Sequence, residues 1–182
     1  VIPSAQVALQ GSIEWARNAQ PPNESGKVES IEFEVVLSPM NGTSIDTVDG
    51  PLRQKVSPPG KIAWPALRLD DYRVSVLGLR SPAYVKEIVY GGQDAKGAPL
   101  RLGSGVAGAE LKITLGADGG TLQVSVVDSN GKAVTDMGVW VAPVDVASER
   151  ALADLVVEGR TDASGSYTTP PLSPGRYRAL AT

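Results

Sequence analysis

Histidine and cysteine are both missing from the 182 residues. Without an imidazole or a thiol, Ser-His-Asp and Cys-His nucleophilic catalysis are excluded. Zinc, haem and iron–sulfur centres lose their usual ligands. The chemistry that remains must use carboxylates, Lys, Tyr or an oxygen-ligated ion such as Ca²⁺, and no cofactor is expected. Aromatic residues are scarce, at 5% against 42% hydrophobic, so the core is expected to be aliphatic, built from Val, Leu, Ile and Ala. Positive charge is not in excess: 17 Lys and Arg face 20 Asp and Glu, for a net charge of −3. That balance gives nucleic acid or an anionic membrane no electrostatic reason to bind. No run of about 18 apolar residues occurs, so no helical membrane span is expected. The first residue is Val1 rather than Met, as in a processed mature protein or an excised fragment. The lack of Cys fits export without disulfides and fits the cytosol equally. Asn23-Glu24-Ser25 and Asn41-Gly42-Thr43 match the glycosylation pattern, which also arises often by chance.

What is abundant is turn chemistry and alternation. There are 20 Gly and 14 Pro, and the length suits one ordinary domain or two small ones. Ile31, Phe33, Val35 and Leu37 share one face against Glu32 and Glu34; Tyr72, Val74 and Val76 alternate with Arg73 and Ser75. Leu111, Ile113 and Leu115 alternate with Glu110, Lys112 and Thr114, and Leu122, Val124 and Val126 with Gln123 and Ser125. Tyr177, Ala179 and Ala181 close the series. Period two predicts half-buried strands. Asn41-Gly42, Asp49-Gly50-Pro51, Pro58-Pro59-Gly60, Gly91-Gly92, Asn130-Gly131 and Pro174-Gly175 predict turns between them. Residues 148–155 are rich in helix formers and read either as two helical turns capped by Ser148 or as an irregular strand approach. Residues 17–27 and 91–108 read as long loops, either solvated connections or binding loops at one end of a sandwich.

The most informative feature is an internal repeat. Gly60 to Arg73 aligns without gaps on Gly165 to Arg178, with Gly, Pro, Leu, Tyr and Arg positions coinciding. Upstream, Val35-Val36-Leu37-Ser38-Pro39 resembles Val139-Trp140-Val141-Ala142-Pro143, and Leu9-Gln10-Gly11-Ser12-Ile13 resembles Leu122-Gln123-Val124-Ser125-Val126. The three matches fall in the same order and suggest two copies of one β module, joined near Gly116 to Gly120. In the second copy Asp162 to Gly165 predicts a turn, with Asp162 bonding its own backbone and Gly165 at positive φ. A strand follows, then a Pro171–Gly175 corner, and Tyr177 leads the returning strand inward.

The run Gly159-Arg160-Thr161-Asp162-Ala163-Ser164-Gly165-Ser166-Tyr167, followed by Leu172-Ser173-Pro174-Gly175-Arg176-Tyr177, resembles the signature of carboxypeptidase regulatory-like domains. Val126 to Val134 resembles the opening strand and turn of the same family. These domains are similar to transthyretin-like sandwiches and are grouped with carbohydrate-binding-like folds. The resemblance spans about 60 residues directly, and the first 115 only through the repeat. It implies a non-catalytic module of an exported bacterial protein, at the cell surface, outside the cell or in the periplasm. It further implies a strand after the Tyr177 strand. The chain stops at Thr182, so either the sequence is cut short or another molecule supplies that strand.

The expected fold is all-β, with two tandem Ig-like or transthyretin-like sandwich domains, about 1–117 and 118–182. Three sites are weighed. Asp128-Ser129-Asn130-Gly131 offers oxygens to Ca²⁺ but lacks the third acid and distal Glu of a Ca²⁺ loop, so a hairpin turn is expected. Asp70 and Asp71 are strand neighbours on opposite faces and cannot easily share a substrate. Trp15, Trp64, Tyr84, Tyr90 and Trp140 read as core or interface packing, or as a sugar-stacking platform. Tyr72 and Tyr177 are expected to be structural. No catalytic or metal site is expected. The expected function is that of a structural or adhesive surface module, with protein partners: itself or neighbouring domains of its parent. An open sheet edge invites strand addition, and Val1, Ile2, Val7 and Leu9 mark a candidate donor strand for a head-to-tail filament. The alternatives are a carbohydrate-binding module and a spacer beside a catalytic or receptor domain.

Overall fold

The computed structural model describes residues 6–19, 32–40, 50–102, 108–146, 152 and 155–182. The fold is all-β and sandwich-like. A five-stranded sheet has the order β4-β1-β9-β6-β7, from β4 (Gly60–Arg68), β1 (Gln6–Trp15), β9 (Glu110–Gly116), β6 (Tyr84–Tyr90) and β7 (Gln93–Asp94). A four-stranded sheet has the order β3-β2-β5-β8, from β3 (Leu52–Val56), β2 (Phe33–Pro39), β5 (Asp71–Leu77) and β8 (Leu100–Arg101). Leu9, Ile13, Leu111, Ile113 and Leu115 of the first and Phe33, Val35 and Leu37 of the second are buried in one cluster. Trp15 meets Phe33 edge-on, with ring centroids 6.0 Å apart. The alternation that predicted these strands thus becomes the inner face of each sheet.

The remaining strands are β10 (Gln123–Ser125), β11 (Gly138–Pro143), β12 (Val157–Arg160), β13 (Ser166–Thr168) and β14 (Tyr177–Ala181). They form a β10-β13 pair and a β12-β11-β14 sheet. Val139 and Val141 of β11, with Leu172 between β13 and β14, form a second buried apolar cluster.

Strand pairing follows the internal sequence alignment residue by residue. Gly11 pairs with Ile62, and Val124 with Tyr167; Ser12 pairs with Lys61, and Ser125 with Ser166. Pro39 pairs with Tyr72, and Pro143 with Tyr177; Leu37 pairs with Val74, and Val141 with Ala179. The order β3-β2-β5 is repeated as β12-β11-β14. Tyr72 donates its hydroxyl to the Arg68 carbonyl at 3.2 Å, and Tyr177 to the Ser173 carbonyl at 2.8 Å. Both tyrosines therefore pin the corner four residues upstream.

The turns behave as their residues dictate. The Asp162 carboxylate accepts from the backbone N–H of Ser164 and Ser166 at 2.8 and 3.0 Å, and Gly165 has φ 73°. These donors, the Ser164 hydroxyl first, hold the Asp162 carboxyl below its usual pKa. Asp128 accepts from Asn130 and Lys132 N–H at 2.8 and 2.9 Å.

Two expectations need correcting. Residues 91–108 are not simply a loop: β7 and β8 lie there, and Ala95, Leu100 and Leu102 are buried in the core. Val7 and Leu9 do not form a free donor strand. They belong to β1, which has β4 on one side and β9 on the other, and Leu9 is buried; Val1 and Ile2 lie outside the described residues. Residues 148–155, read either as two helical turns or as an irregular strand approach, lie largely outside them too; Leu152 and Leu155 have helical backbone.

Candidate functional site

The five singled-out aromatics do not form a platform. Trp64 and Tyr84 are buried; Trp15 and Tyr90 are half-buried and pack against the first cluster. Trp140 alone among the five is exposed, at 36%, on the outer face of β11, directly opposite Leu180 of β14. Sugar stacking needs several rings on one accessible surface, and this arrangement supplies one. Both readings stood open in the sequence because a strand's two faces look alike until the partner sheet is known.

Tyr84 instead locks the junction between the two clusters. A Cβ on Gly116 or Gly119 would meet its ring at 2.4 or 2.7 Å. Only glycine permits that close approach. The Tyr84 hydroxyl donates to Asp118 at 3.0 Å, and Gly119 N–H donates to the Pro82 carbonyl at 2.9 Å. Burial first, then the Asp118 carboxylate, raises the Tyr84 pKa. Gly120 pairs with Leu172 across the junction. The expected join at 116–120 is thus a tightly bonded segment.

A cleft of about 680 Å³ lies beside this junction. Val76, Leu77 and Lys96 line it from one side, and Asp145, Pro171 and Tyr177 from the other. Its charged groups are engaged. Asp94 accepts from Lys96 N–H at 2.8 Å, and Asp145 pairs with Arg176 at 3.0 Å. Burial lowers the Lys96 pKa, and the Asp94 charge opposes that shift. Elsewhere Glu34 pairs with Arg53 at 2.7 Å and Asp136 with Arg160. Carboxylates so paired face arginines rather than one another, so these offer no acid–base couple for hydrolysis. No group of three or more metal-ligating residues occurs among the described residues. Asp128 is committed to its turn. Asp70 caps its neighbour's N–H at 2.7 Å, while Asp71 lies near Arg101 of β8 at 3.9 Å.

The remaining candidate is a sheet edge. Thr169 N–H donates to the Leu122 carbonyl, and Val126 N–H to that of Gly165, both at 2.9 Å. These bonds turn the backbone of Leu122, Val124 and Val126 toward β13, so Gln123 and Ser125 present theirs to the other side. Among the described residues no strand lies there.

No family model matches the chain, and no curated protein matches it. Solved structures similar to it include shaft pilin SpaA from Lactobacillus rhamnosus GG. A double mutant of that pilin aligns at TM-score 0.38 with 11% identity, covering 98% of this chain and 88% of that one. The form described without a mutation aligns at TM-score 0.35 with 10% identity over the same shares. A likeness at that level carries no inference about role.

Proposed function

We propose that the chain is a non-enzymatic structural module of an exported bacterial surface protein. It is built as two copies of one carboxypeptidase regulatory-like sandwich, about 1–117 and 118–182. The observation that carries this reading is the coincidence of strand registers in the two segments, down to the Tyr72 and Tyr177 corners. A scaffold repeated around two apolar clusters, with its polar side chains spent on turns and ion pairs, suits a load-bearing or spacing role. Its partners are protein: the neighbouring domains of its parent or further copies of itself. Location at the cell surface or in the periplasm follows from the family resemblance alone. No helix among the described residues is long and apolar enough to cross a membrane.

The test combines ligand screening with paired variants. A chain that neither turns over glycosides, esters or peptides nor binds polysaccharide in pull-down, and in which Tyr72→Phe and Tyr177→Phe lower the melting temperature alike, fits the reading. Saturable polysaccharide binding lost in Trp140→Ala would replace it with a carbohydrate-binding module. A neutral Tyr177→Phe beside a destabilising Tyr72→Phe would remove the two-copy construction.

A further inference from the structure

Val74, Ser75, Val76 and Leu77 all line the cleft beside the junction. Neighbours in a strand point to opposite faces, so four in succession reach one cleft only where it runs along the strand's edge. β2 pairs along one side of β5 as far as Leu77, while β8, on the other side, reaches only Asp71 and Tyr72. Met40 N–H donates to the Asp71 carbonyl at 2.8 Å. Asp71, Arg73, Ser75 and Leu77 therefore turn their backbone toward β2, and Val74 and Val76 turn theirs away from it, to the cleft side. Among the described residues no strand meets them there. Both flanks of that edge are apolar. Val85 and Ile88 of β6 line one, and Val157 and Pro171 the other; Val85 and Val157 are only partly buried.

The same cleft holds a cation without a counter-ion among the described residues. Lys96 is half-buried in the lining. Its ammonium has three protons to donate and one hydrogen bond, to the Lys86 carbonyl at a long 3.4 Å. No carboxylate among the described residues forms an ion pair with it. Tyr84 and Leu172, one on each wall, are tied to the same short segment by the Asp118 and Gly120 bonds. The walls are thus joined on that side, and the cleft is preformed.

We propose that the cleft binds the C-terminal tail of a partner protein, extended along β5, with apolar residues on both faces and its terminal carboxylate on the Lys96 ammonium. The backbone of Val74 and Val76 supplies the ladder, the aliphatic walls select the side chains, and Lys96 selects the chain end. A chain end suits a cleft whose walls are joined on one side, where a passing strand would need both ends clear. The inference rests on the reading that the partners are protein, and it makes no use of the two-copy construction.

The experiment is an NMR titration of the whole chain with the probe peptide acetyl-Gly-Ser-Val-Ile-Val, as the free acid and as the C-terminal amide, with amide exchange read residue by residue. In the free chain the Ser75 and Leu77 amides are protected and those of Val74 and Val76 exchange fast. With saturating free acid, the latter two slow about tenfold or more. The amide binds about tenfold more weakly or worse, because it carries no charge to Lys96. Lys96→Met weakens the free acid by the same factor and leaves the amide unchanged, while Lys96→Arg keeps the preference for the acid. Absence of saturable binding, equal binding of acid and amide, or a Lys96→Met effect shared by both would overturn the proposal. So would unchanged exchange at Val74 and Val76. A peptide amide with aspartate as its last residue that matches the free acid would replace the chain end with a passing acidic segment, and dodecanoate binding more tightly than the peptide would replace it with a small amphiphile. Each of these results overturns the proposal and leaves the structural-module reading to its own test at the Tyr72 and Tyr177 corners.

Discussion

Leu9 in β1 is 1% exposed, while Leu122, at the matching place before β10, is 39% exposed. The two residues occupy equivalent registers, against Trp64 and Thr169 respectively. Trp64 and Thr169 are both buried, so the pairing recurs in the two segments and the covering does not. Register is a local property, set by turns, corners and the parity of apolar residues. Burial is a property of layers, and the sheet that holds β1 also holds β6 and β9, where the β10-β13 pair has no further strand among the described residues. The same register therefore sits in a well-covered cluster in one place and, among the described residues, in a thinner one in the other.

The comparison can be broken hardest in the core. Ile113→Ala removes a fully buried side chain from β9 and should cost about 4 kcal/mol, whereas Val141→Ala, in the thinner second cluster, should cost about 2. Denaturant unfolding of both variants checks this, and equal losses would mean that the second cluster is better covered than its exposed alanines suggest. Gly11→Ala should cost about 2–3 kcal/mol, because its Cβ would run into the Leu111 carbonyl. Val124→Ala, the matching change, should cost no more than about 1. A tolerated Gly11→Ala, seen as an unchanged melting temperature, would show that β1 and β9 can separate there.

The corners sharpen the likeness instead. Tyr72→Phe loses the hydroxyl bond to the Arg68 carbonyl, and Tyr177→Phe loses those to the Ser173 carbonyl and hydroxyl, so each should cost about 1 kcal/mol or more. A neutral Tyr177→Phe, in the same melting assay, would mark that corner as unlike its partner. The smallest effect is electrostatic. Burial depresses the Lys96 pKa in the folded chain, so the folded state releases its proton at lower pH than the unfolded state does. Stability should then rise with pH between the folded and the ordinary lysine values. Lys96→Met should abolish that rise and slightly raise the melting temperature at neutral pH. A steeper pH dependence in the variant would contradict the assignment.

The sequence was legible where local rules act alone. The Asp162–Gly165 turn, the strands at Leu111–Leu115 and Tyr177–Ala181, and the relation of Gly60–Arg73 to Gly165–Arg178 needed only parity and turn chemistry. β3 escaped because Gln54 interrupts its apolar parity; its side chain accepts from Ala63 N–H of β4 at 2.9 Å instead. β7 and β8 escaped because each has two residues, flanked by glycines and a proline that announce loops. The fate of Tyr84 was illegible for another reason. Its burial depends on Gly116 and Gly119, more than thirty residues later, and no periodicity near Tyr84 reports them. The resemblance implied a further strand after that of Tyr177, and a donor was sought in Val7 and Leu9, whose own sheet already holds them.

The parallel contact of β1 with β9 has a mechanical consequence. Because the two strands run the same way, Gln6 and Gly116 lie toward opposite ends of the pair. Tension applied at those points pulls β1 and β9 past each other rather than peeling them apart. The load falls on all the paired residues from Gln10–Glu110 to Trp15–Leu115 together, so their hydrogen bonds must fail at once and not in sequence. A hairpin pulled from its open end yields one bond at a time. The β1–β9 pair is thus wired to resist stretching between Gln6 and Gly116.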